Sequence, residues 1–542
     1  MATTPAFGAT IGATTVSAAV NSARSSKGQP RKALVIGAGH NGLTCAFYLA
    51  KAGYQVRVFE KRYVVGGCAV TEEIDPLNAP GNRVSTASYM ASMLRPEVIR
   101  DMQLGRHGLK MIAANPAVQV AFEDGSVLPW WQDQQKTHAE LSRYNRKDAD
   151  AFFRLDAELK ELAGYLQPFF LEPPPNTEAT GLAGLLEIIR VGKRMRGLNG
   201  KQISELIAFL TGSLEQLLDR YFKSEQVKRL ILANNLYGKH GGPRDAGSAM
   251  GLLFHLLSGS EGDDEKTRQG FSGHVLGGMG AITQAMAKAC VEAGVEINTN
   301  MPVEQVHIVN RVAKGVVLDN GLVIKADLVV SNADPKRTFL QLVGREQLDS
   351  SFVQQVEAIA MNGPSAKVNL VLNEEPRVTG MPIDAPTLQK MIYTLVPTFA
   401  AAQRCYNDCQ NGVLAEDLWV DCILASAIDP KLVTPGHHVL TSFVQYVPYH
   451  LAGTDWEEQR DTLGQRVVEI IGRYAPNVPD AIVGMDIITP LDLESRFGIT
   501  EGNIFHGDIR LDQLFFMRPL PGWSHYATPI KGLYLCGAGT HP

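Results

Sequence analysis

This chain of 542 residues lacks the sequence features of several common protein classes. Its seven cysteines include no C-x-x-C pair and no zinc-ligand spacing, and Cys405 and Cys409 are separated by three residues. A zinc site and cysteine-based disulfide reduction are therefore disfavoured, and each cysteine is expected to be a small buried residue. No apolar run reaches the roughly eighteen residues that a membrane-spanning helix needs. A net charge of −5 argues against a nucleic-acid partner.

Acidic residues are absent from the start of the chain, and the first of them is Glu60. Residues 1–30 are rich in Ala, Ser and Thr, carry Arg24 and Lys27, and have no long apolar core of the kind found in secretory signals. This composition is typical of an organelle transit peptide, and the alternative is a plain disordered tail. The hydroxyl-rich, arginine-poor start leaves the plastid open as a destination beside the mitochondrion.

A strand–helix–strand pattern with a glycine-rich turn follows. The apolar run Ala33–Ile36 predicts a buried parallel strand, and apolar spacing predicts a helix over Leu43–Ala52. Between them lies a G-x-G-x-x-G motif, GAGHNG (37–42), and a second strand is predicted over Gln55–Phe59, ending at Glu60. Because all of these elements are in register, the segment predicts a dinucleotide-binding βαβ unit.

Each residue type in this pattern has a physical reason. Gly37 allows a tight turn, Gly39 lets backbone N–H groups approach a pyrophosphate, and Gly42 lets the helix pack closely on the strand. The N-terminus of the helix offers free N–H donors and partial positive charge to the phosphates. Glu60 can accept hydrogen bonds from ribose hydroxyls, which disfavours a nucleotide that carries a 2′-phosphate.

A pair of glycines, Gly66 and Gly67, lies six and seven residues after Glu60. A nicotinamide-binding unit has no need of paired glycines at this place. The spacing resembles that of flavoproteins with two dinucleotide-binding domains, a group that includes amine oxidases and carotenoid desaturases. The resemblance implies FAD rather than NAD, with the glycine pair passing close to the FAD pyrophosphate.

The remainder of the chain shows two kinds of segment. Strands are predicted over 118–122, 126–130, 295–298, 303–309, 313–319, 322–325, 365–372, 418–426, 438–446 and 532–535, and helices over 152–166, 182–189, 203–218 and 456–475, the last with Asp455 as N-cap. We divide the chain into a transit peptide or disordered tail (1–30), three parts of an FAD-binding domain (31–95, 271–345 and 501–542) and two parts of a substrate domain (96–270, largely helical, and 346–500).

Several strings resemble the phytoene-desaturase and carotenoid-isomerase branch of the FAD oxidoreductases. They are GAGHNGL (37–43), EKRYVVGGCAVTEE (60–73), Ser92 with Leu94–Pro96, GGMGA (277–281), LTSFVQYVPYHLAG (440–453), GNIFHGDIRLDQLFFMRP (502–519) and GLYLCGAGTHP (532–542). The first string is shared by the whole superfamily, and the C-terminal strings are specific to the branch. The resemblance covers nearly all of the chain from residue 31. It implies an α/β fold with a Rossmann-like FAD-binding domain, a separate α+β substrate domain and a location in the mitochondrial matrix.

The resemblance also implies which residues contact FAD. Carried over by position, Gly37, Gly39 and Gly42 would contact the pyrophosphate, Glu60 the adenosine ribose and Val303 the adenine, with Gly66 and Gly67 in the loop below the ribose and Gly537 and Gly539 beside the isoalloxazine end. The cofactor-binding set also includes His40, Asn41 and Lys61. Members of the branch continue past the string at 532–542 into a glycine-rich turn and a helix that cradles the flavin ring. The expectation is therefore that this sequence is a fragment or that the flavin half of its site is incomplete.

Residues for catalysis are harder to identify. The sequence shows no nucleophile elbow, metal-ligand cluster or clear acid/base pair, and a bound flavin can accept a hydride while the protein supplies orientation and electrostatics. His506 and Asp508 are the nearest candidates for an acid/base pair, although a structural polar contact is favoured. Cys68 and Cys536 lie nearest the flavin motifs, and covalent flavin attachment by either is disfavoured because Cys536 ends a buried strand.

The function predicted from the sequence is that of an FAD-dependent oxidoreductase that desaturates or isomerises an apolar substrate. The alternatives are a flavin-fold binding or regulatory protein with little turnover, and an NAD-dependent dehydrogenase, which the glycine pair disfavours. The stretch Leu182–Leu198 mixes apolar residues with Arg190, Lys193, Arg194 and Arg196. It is either a peripheral membrane-surface or substrate-entry helix or, more commonly, a solvated face over a core-facing stripe.

Overall fold

The computed structural model describes residues 30–541, with gaps at 173, 176–180, 237, 239–240, 259–272 and 382–391. The predicted transit peptide, apart from Pro30, and the terminal Pro542 lie outside the described residues.

The strands and helices of the described residues alternate along the chain. The strands are β1 (Lys32–Ile36), β2 (Gln55–Phe59), β3 (Thr71–Glu73), β4 (Arg83–Ser85), β5 (Met111–Ala113), β6 (Val118–Ala121), β7 (Val127–Trp130), β8 (Gly273–Val275), β9 (Glu296–Asn298), β10 (Val303–Val309), β11 (Val312–Leu318), β12 (Val323–Lys325), β13 (Leu328–Ser331), β14 (Ser365–Leu372), β15 (Ile392–Leu395), β16 (Trp419–Leu424), β17 (His438–Gln445), β18 (Ile482–Ile488) and β19 (Leu533–Leu535). The α-helices are Ηis40–Lys51, Pro96–Asp101, Gln134–Ser142, Arg146–Leu166, Pro168–Leu171, Gly181–Met195, Gly200–Thr211, Leu214–Tyr221, Glu225–Leu232, Met250–Ser258, Gly280–Glu292, Ser350–Glu357, Phe399–Gln410, Ala425–Ile428, Trp456–Tyr474, Val478–Ala481 and Pro490–Phe497. A π-helix covers Arg337–Gly344, and short 3-10 helices cover Arg345–Gln347, Pro430–Leu432, Thr500–Gly502, Leu511–Gln513 and Phe515–Met517.

Five parallel strands form the sheet that carries the glycine motifs, in the order β19–β13–β1–β2–β9. These strands come from the start, the middle and the end of the chain. The helices His40–Lys51 and Gly280–Glu292 cover one face, where Leu43, Ala46, Ile282 and Met286 are buried against Val35. The α/β fold class with a Rossmann-like nucleotide domain is confirmed by this sheet.

A small antiparallel sheet, β10–β11–β12, leads from β9 back to β13. Its second hairpin turns at Gly321, whose φ of +79° lies in the left-handed region that glycine adopts without strain. The hairpin agrees with the one predicted from the turn Asp319-Asn320-Gly321.

A mixed sheet of seven strands, β18–β14–β17–β16–β15–β6–β7, forms the second layer of the molecule. One face packs on the helices, and it contributes Val368, Leu370, Leu440 and Val444 to the largest apolar core. The other face carries a row of buried polar side chains, which is described below with the candidate site. This sheet and its helices provide the separate α+β unit that was expected beside the nucleotide domain.

Two local predictions have clear outcomes. Asp455 is the N-cap of the Trp456–Tyr474 helix, because its side chain accepts hydrogen bonds from the backbone N–H groups of Glu457 and Glu458. The single helical pattern predicted over Ile203–Leu218 is wrong, since the chain forms the two helices Gly200–Thr211 and Leu214–Tyr221.

The break between these helices has a local cause. Gly212 adopts an extended conformation, with φ −77° and ψ 163°, at the end of the first helix. Ser213 then caps the second helix by accepting a hydrogen bond from the backbone N–H of Gln216. Apolar spacing alone continues across such a break, because both helices bury residues of the same stripe.

Among the described residues, no helix combines the length and the apolar character needed to cross a bilayer.

Candidate active site

The glycine-rich turn after β1 has the geometry that its sequence predicts. Gly37 has φ +92°, and its backbone N–H donates to the carbonyl oxygen of Phe59 at 2.8 Å, which ties the ends of β1 and β2 together. A Cβ atom on Gly42 would lie 2.2 Å from the carbonyl oxygen of Gly37. A side chain at either position would therefore strain the turn or push the helix away from the strand.

Gly66 and Gly67 close over the same turn. The Gly66 N–H donates to the carbonyl oxygen of Ala38 at 2.9 Å, and Gly66 and Gly39 form a parallel bridge. A Cβ on Gly67 would lie 3.4 Å from the Cα of Gly39. The two glycine motifs therefore form one wall of bare backbone, against which a large ligand can lie closely.

The N-terminus of the His40–Lys51 helix opens onto this wall. Gly39 is its N-cap, no side chain of the described residues caps it, and its first turn contains no acidic residue. The free N–H groups and the partial positive charge of the helix terminus are suited to a phosphate. The residues present thus fit the pyrophosphate of a dinucleotide, as the motif predicts.

Asn332 is a further residue of this turn, and the sequence reasoning gave it no role. It follows β13, and its Nδ2 atom lies 2.9 Å from the position that a Cβ on Gly39 would occupy. Its Oδ1 atom lies 2.8 Å from the corresponding position on Gly537. Asn332 therefore fills the space between the first glycine motif and the motif near the end of the chain. The conspicuous string SNADP (331–335) was the available signal.

Glu60 is buried, with 6% of its surface exposed, and it braces the turn from the end of β2. Its Oε2 atom accepts a hydrogen bond from the N–H of Ala38 at 2.8 Å, and Oε1 accepts from the N–H of Arg62 at 2.9 Å. Each carboxylate oxygen keeps a further lone pair that can accept from a ribose hydroxyl. The contact with ribose stays a prediction, and the sequence reasoning missed the contacts of Glu60 with the backbone.

The residues carried over to the adenosine half lie near Glu60. Its carbonyl oxygen accepts from the N–H of Met301 at 2.9 Å, and Val303, two residues further, begins β10. Lys61 is exposed, and its Nζ atom lies 3.1 Å from the position that a Cβ on Gly498 would take. Partial loss of hydration next to the surrounding residues, and then the charge of Arg337, lower the pKa of Lys61.

Gly537 and Gly539 form the other end of the nucleotide groove, which is the surface that begins at the glycine wall. Gly537 has φ +126°, which suits only glycine, and a Cβ on Gly539 would lie 2.4 Å from Cδ of Pro335 and 3.2 Å from the carbonyl oxygen of His506. The backbone of His506 is thus next to the terminal motif. Burial lowers the pKa of His506 against the opposing charge of Asp334, and the charges of Arg518 and Arg337 lower it further.

His40 and Asn41 occupy the first turn of the helix that faces the groove, and His40 is accessible to solvent. Neighbouring groups crowd its imidazole and leave a charge there poorly hydrated, which lowers the pKa of His40 to about 4, and the charge of His506 adds to this effect. At neutral pH His40 is therefore uncharged. His40 can therefore offer a hydrogen bond to a ligand, but it adds no positive charge.

Asp508, the proposed partner of His506, is held by other groups. Its Oδ1 atom accepts from Nδ2 of Asn503 at 2.7 Å, and its Oδ2 atom accepts from Nδ2 of Asn362 at 3.0 Å. Asp508 is 1% exposed. These bonds favour the structural interpretation of Asp508 over an acid/base pair with His506.

The two cysteines near the flavin motifs are poor nucleophiles. Burial raises the pKa of Cys68 to about 12. A hydrogen bond with the thiol of Cys45, followed by burial, raises the pKa of Cys536 well above its ordinary value. Since the thiolate is the reactive form, these environments argue against covalent flavin attachment. All seven cysteines are free.

A buried polar row on the seven-stranded sheet contains a residue that the sequence analysis did not identify. Lys367, on β14, is 2% exposed, and its Nζ atom donates to Oγ1 of Thr441 on β17. Burial lowers the pKa of Lys367 to about 7, against the opposing effects of Asp421 first and then of Cys422 and Asp486. A lysine in the strand SAKVNLVL (365–372), surrounded by apolar residues, was the sequence signal that went unused.

The row continues across the sheet. Asp421 on β16 accepts hydrogen bonds from the hydroxyl of Tyr89 at 2.8 Å and from Oγ1 of Thr394 on β15 at 2.5 Å. Asn369, two residues after Lys367, accepts from the hydroxyl of Thr441 at 2.6 Å. These are the charged and polar groups that the sheet turns toward the nucleotide domain, and they form a network that can hold and transfer a proton.

The polar row lies close to the glycine pair. The N–H of Ser88 donates to the carbonyl oxygen of Cys68 at 3.1 Å, and Cys68 directly follows Gly67. Tyr89, the next residue, lies against Lys367, with the Nζ atom 4.7 Å from the centre of its ring. A chain of contacts therefore connects the nucleotide groove with the sheet, and it runs through Gly67, Cys68, Ser88, Tyr89 and Lys367.

An apolar crevice lies next to the segment that contains His506. It is lined by Phe170, Leu210, Met250, Leu253, Phe254, Leu514 and Phe515. The ring of Phe254 packs on that of Phe505 with the ring centres 5.9 Å apart, and Phe505 precedes His506. The crevice thus adjoins the segment that touches Gly539, and none of its lining residues is charged.

Comparison with known proteins agrees with this geometry. The profile of the flavin containing amine oxidoreductases matches residues 42–542. Pyridine nucleotide-disulfide oxidoreductase domain-containing protein 2 of Rattus norvegicus is 36% identical over 532 residues, covering 94% of this chain and 90% of that protein. The lycopene-forming phytoene desaturase of Pseudescherichia vulneris is 25% identical over 519 residues, covering 94% of this chain and 95% of the desaturase.

A solved structure shows the same fold. The crystal structure of an oxidoreductase from Methanosarcina mazei aligns with a TM-score of 0.58 at 16% identity, covering 94% of this chain and 95% of that one. The resemblance to the desaturase branch that the sequence strings indicated is confirmed by the relatives, and the choice of FAD is confirmed by the family. With a profile match over nearly the whole chain and a groove that fits a dinucleotide, the chain belongs to the flavin containing amine oxidoreductase family and is an FAD-dependent oxidoreductase.

Proposed function

We propose that this oxidoreductase dehydrogenates or isomerises an apolar substrate, in the manner of a desaturase. The observation that carries the proposal is the crevice next to Phe505, the residue before His506, because its lining is apolar throughout. A cationic amine in this crevice would lose its hydration without meeting a carboxylate, whereas a hydrocarbon chain would gain from burial. The relative from Pseudescherichia vulneris, which carries the name of a phytoene desaturase, agrees with this choice.

The protein's own residues would divide the work as follows. The glycine wall and the helix N-terminus after Gly39 would bind the pyrophosphate, and the crevice would contact an apolar part of the substrate. Bound FAD supplies the acceptor for a hydride. Because removal of a hydride and a proton creates a double bond, a base is needed near the nucleotide groove, and the uncharged amine of Lys367, which Tyr89 connects with that groove, is the candidate to take the proton. Its pKa of about 7 keeps a large fraction of the amine unprotonated at neutral pH.

Flavin reduction in the absence of oxygen tests this proposal. The FAD-loaded protein is mixed with isoprenoid hydrocarbons in detergent and, in parallel, with an aliphatic diamine, and bleaching of the flavin absorbance is followed. Only the hydrocarbon should bleach the flavin. Analysis of double-bond positions in the recovered hydrocarbon would detect isomerisation, which needs no net reduction. Reduction by the diamine alone would contradict the proposal, and no change with any substrate would favour the alternative of a binding or regulatory protein.

Lys367→Met separates the role of the amine from substrate binding. We expect hydride transfer to fall by about 10²–10⁴-fold, the usual contribution of a positioned base. FAD content should stay unchanged, because Lys367 lies outside the nucleotide groove. Lys314→Met, at an exposed position on β11, is the matched control and should react like the unaltered protein.

We further propose that the protein acts in the mitochondrial matrix, with the plastid as the alternative. The support is the absence of acidic residues before Glu60, since a basic, acid-free leader suits import driven by an electrical gradient. Residues 1–35 fused to a fluorescent protein should carry it into mitochondria. A uniform cytosolic signal would leave only the disordered-tail interpretation of residues 1–30.

A further inference from the structure

Two successive helices expose large apolar side chains to solvent. These residues, which we call the apolar helical face, are Leu185, Leu186 and Ile189 on the Gly181–Met195 helix, with exposures of 52%, 58% and 43%, and Ile203 and Ile207 on the Gly200–Thr211 helix, with exposures of 45% and 55%. Single exposed apolar residues are ordinary on protein surfaces. Five of them on two helices that follow each other in the chain are more than such scatter explains, and an apolar concentration of this kind is typical of a binding surface.

On the second of these helices, the row of apolar residues ends at the crevice. Ile203, Ile207 and Leu210 are separated by four and three positions, so they lie along one side of the Gly200–Thr211 helix. The first two are exposed, whereas Leu210 lines the crevice. On this helix the exposed part of the apolar helical face therefore leads to the crevice, which adjoins the segment around His506.

The charge of the same segment identifies the partner. Residues 181–203 contain five basic residues and one acidic residue, although the whole chain carries a net charge of −5. Lys193 and Arg196 are exposed at the end of the first helix and beyond it. Apolar side chains beside a basic cluster are typical of helices that lie in the interface of an anionic membrane. A second copy of the chain would instead bring two basic segments together.

We infer that the apolar helical face docks on an anionic lipid bilayer. Leu185, Leu186 and Ile207 would enter the region of the acyl chains, and Lys193 and Arg196 would lie at the lipid phosphates. The inference concerns where the protein binds, so it stands independently of the desaturase proposal. If both hold, the crevice opens toward the phase in which an apolar substrate dissolves.

Vesicle sedimentation tests the inference with the full, FAD-loaded chain. Vesicles of phosphatidylcholine are compared with vesicles that also contain phosphatidylglycerol. The protein should bind the anionic vesicles, and added salt should weaken the binding because the Lys and Arg contacts are screened. Leu186→Asp and Ile207→Asp should each lower partitioning about tenfold or more, since each removes the burial of one aliphatic side chain.

Matched controls show whether the effect belongs to this face. Val291→Asp, on the exposed side of the Gly280–Glu292 helix, and Leu77→Asp, 91% exposed in a turn, place the same charge elsewhere. They should bind vesicles like the unaltered protein. Lys193→Glu combined with Arg196→Glu should abolish the preference for phosphatidylglycerol.

Three results would overturn the inference. They are failure of the unaltered protein to bind anionic vesicles, equal loss of binding in the controls, and concentration-dependent dimerisation that Leu186→Asp abolishes while vesicle binding persists. The last result would make the face an interface between two copies. Flavin content and circular dichroism of each variant show that it is folded, and flavin reduction by a hydrocarbon in detergent reports on the proposed function separately.

Discussion

The Nζ atom of Lys367 lies 4.7 Å from the centre of the Tyr89 ring, where the amine meets an aromatic face rather than a paired carboxylate. The hydroxyl of Tyr89 donates to the carboxylate of Asp421, so this carboxylate is already hydrogen-bonded. The aromatic face can stabilise the charged form only in part. Burial therefore dominates and lowers the pKa of Lys367 to about 7.

The lowered pKa predicts how stability depends on pH. Between pH 7 and 10.5 the unfolded chain binds a proton on Lys367 that the folded chain does not bind, so the free energy of unfolding should rise with pH across this window. Below pH 7 the full cost of burying the charge is present. Lys367→Met removes this contribution, so the variant should gain stability relative to the unaltered protein at low pH. The difference should amount to a few kcal/mol, since one pKa unit corresponds to about 1.4 kcal/mol.

Urea unfolding at several pH values across this window measures the effect. The difference between the variant and the unaltered protein should shrink as pH rises, and Lys314→Met should show no such trend. A difference that is independent of pH would mean that Lys367 stays protonated in the folded protein. In that case it could not accept a proton from a substrate at neutral pH.

Gly39→Val should abolish retention of FAD without unfolding the protein. Gly39 has φ −66°, which any residue adopts, so the cost comes from the new side chain. Its Cβ would lie 2.9 Å from Nδ2 of Asn332, and the remaining atoms would occupy the wall for the pyrophosphate. Gly105→Val is the matched control, because a Cβ at Gly105 meets no atom within 4 Å. The flavin-to-protein absorbance ratio after purification measures retention, and full flavin content in Gly39→Val would show that the pyrophosphate lies elsewhere.

Sequence patterns predicted those parts of the site that are local in the chain. The glycine turn, its helix and Glu60 lie within one βαβ unit, so motif spacing determines their geometry. The polar row was not predictable in this way, because Tyr89 and Asp421 are 332 positions apart and meet only when the sheet is assembled. Strand order in a mixed sheet depends on contacts between distant segments, which hydrophobic periodicity does not encode. For the same reason Asn332 was visible as part of a string but could not be assigned a role.

Glu60→Ala should affect both cofactor and protein stability. Removal of the carboxylate leaves the N–H groups of Ala38 and Arg62 without their acceptor, so the protein without FAD should lose about 1–3 kcal/mol of stability. The affinity for FAD should fall by about 1.5–3 kcal/mol, the value of hydrogen bonds to a charged group. Glu304→Ala, at an exposed position of β10, is the control. Thermal unfolding without FAD and fluorescence titration with FAD separate the two effects; unchanged stability would mean that Glu60 serves the ribose alone.

Asp508→Asn should lower stability rather than change the chemistry. In the native protein two amide groups, those of Asn503 and Asn362, donate to the buried carboxylate of Asp508. An amide at this position offers one acceptor and one donor, so one of the two asparagines would face another donor. The loss should be about 1.5–3 kcal/mol, as for hydrogen bonds to a charged group. Asp512→Asn is the control, since Asp512 pairs with Arg510 at an exposed position.

The pH dependence of hydride transfer decides between the structural and the acid/base interpretations of Asp508. If its role is structural, the Asp508→Asn variant should unfold at a lower temperature, while the rate of flavin reduction in the folded protein keeps the same dependence on pH. An unchanged melting temperature together with a pH profile that loses one limb would instead identify Asp508 as the partner of His506. The geometry favours the first result, because both carboxylate oxygens are occupied by asparagine donors and the carboxylate is 1% exposed.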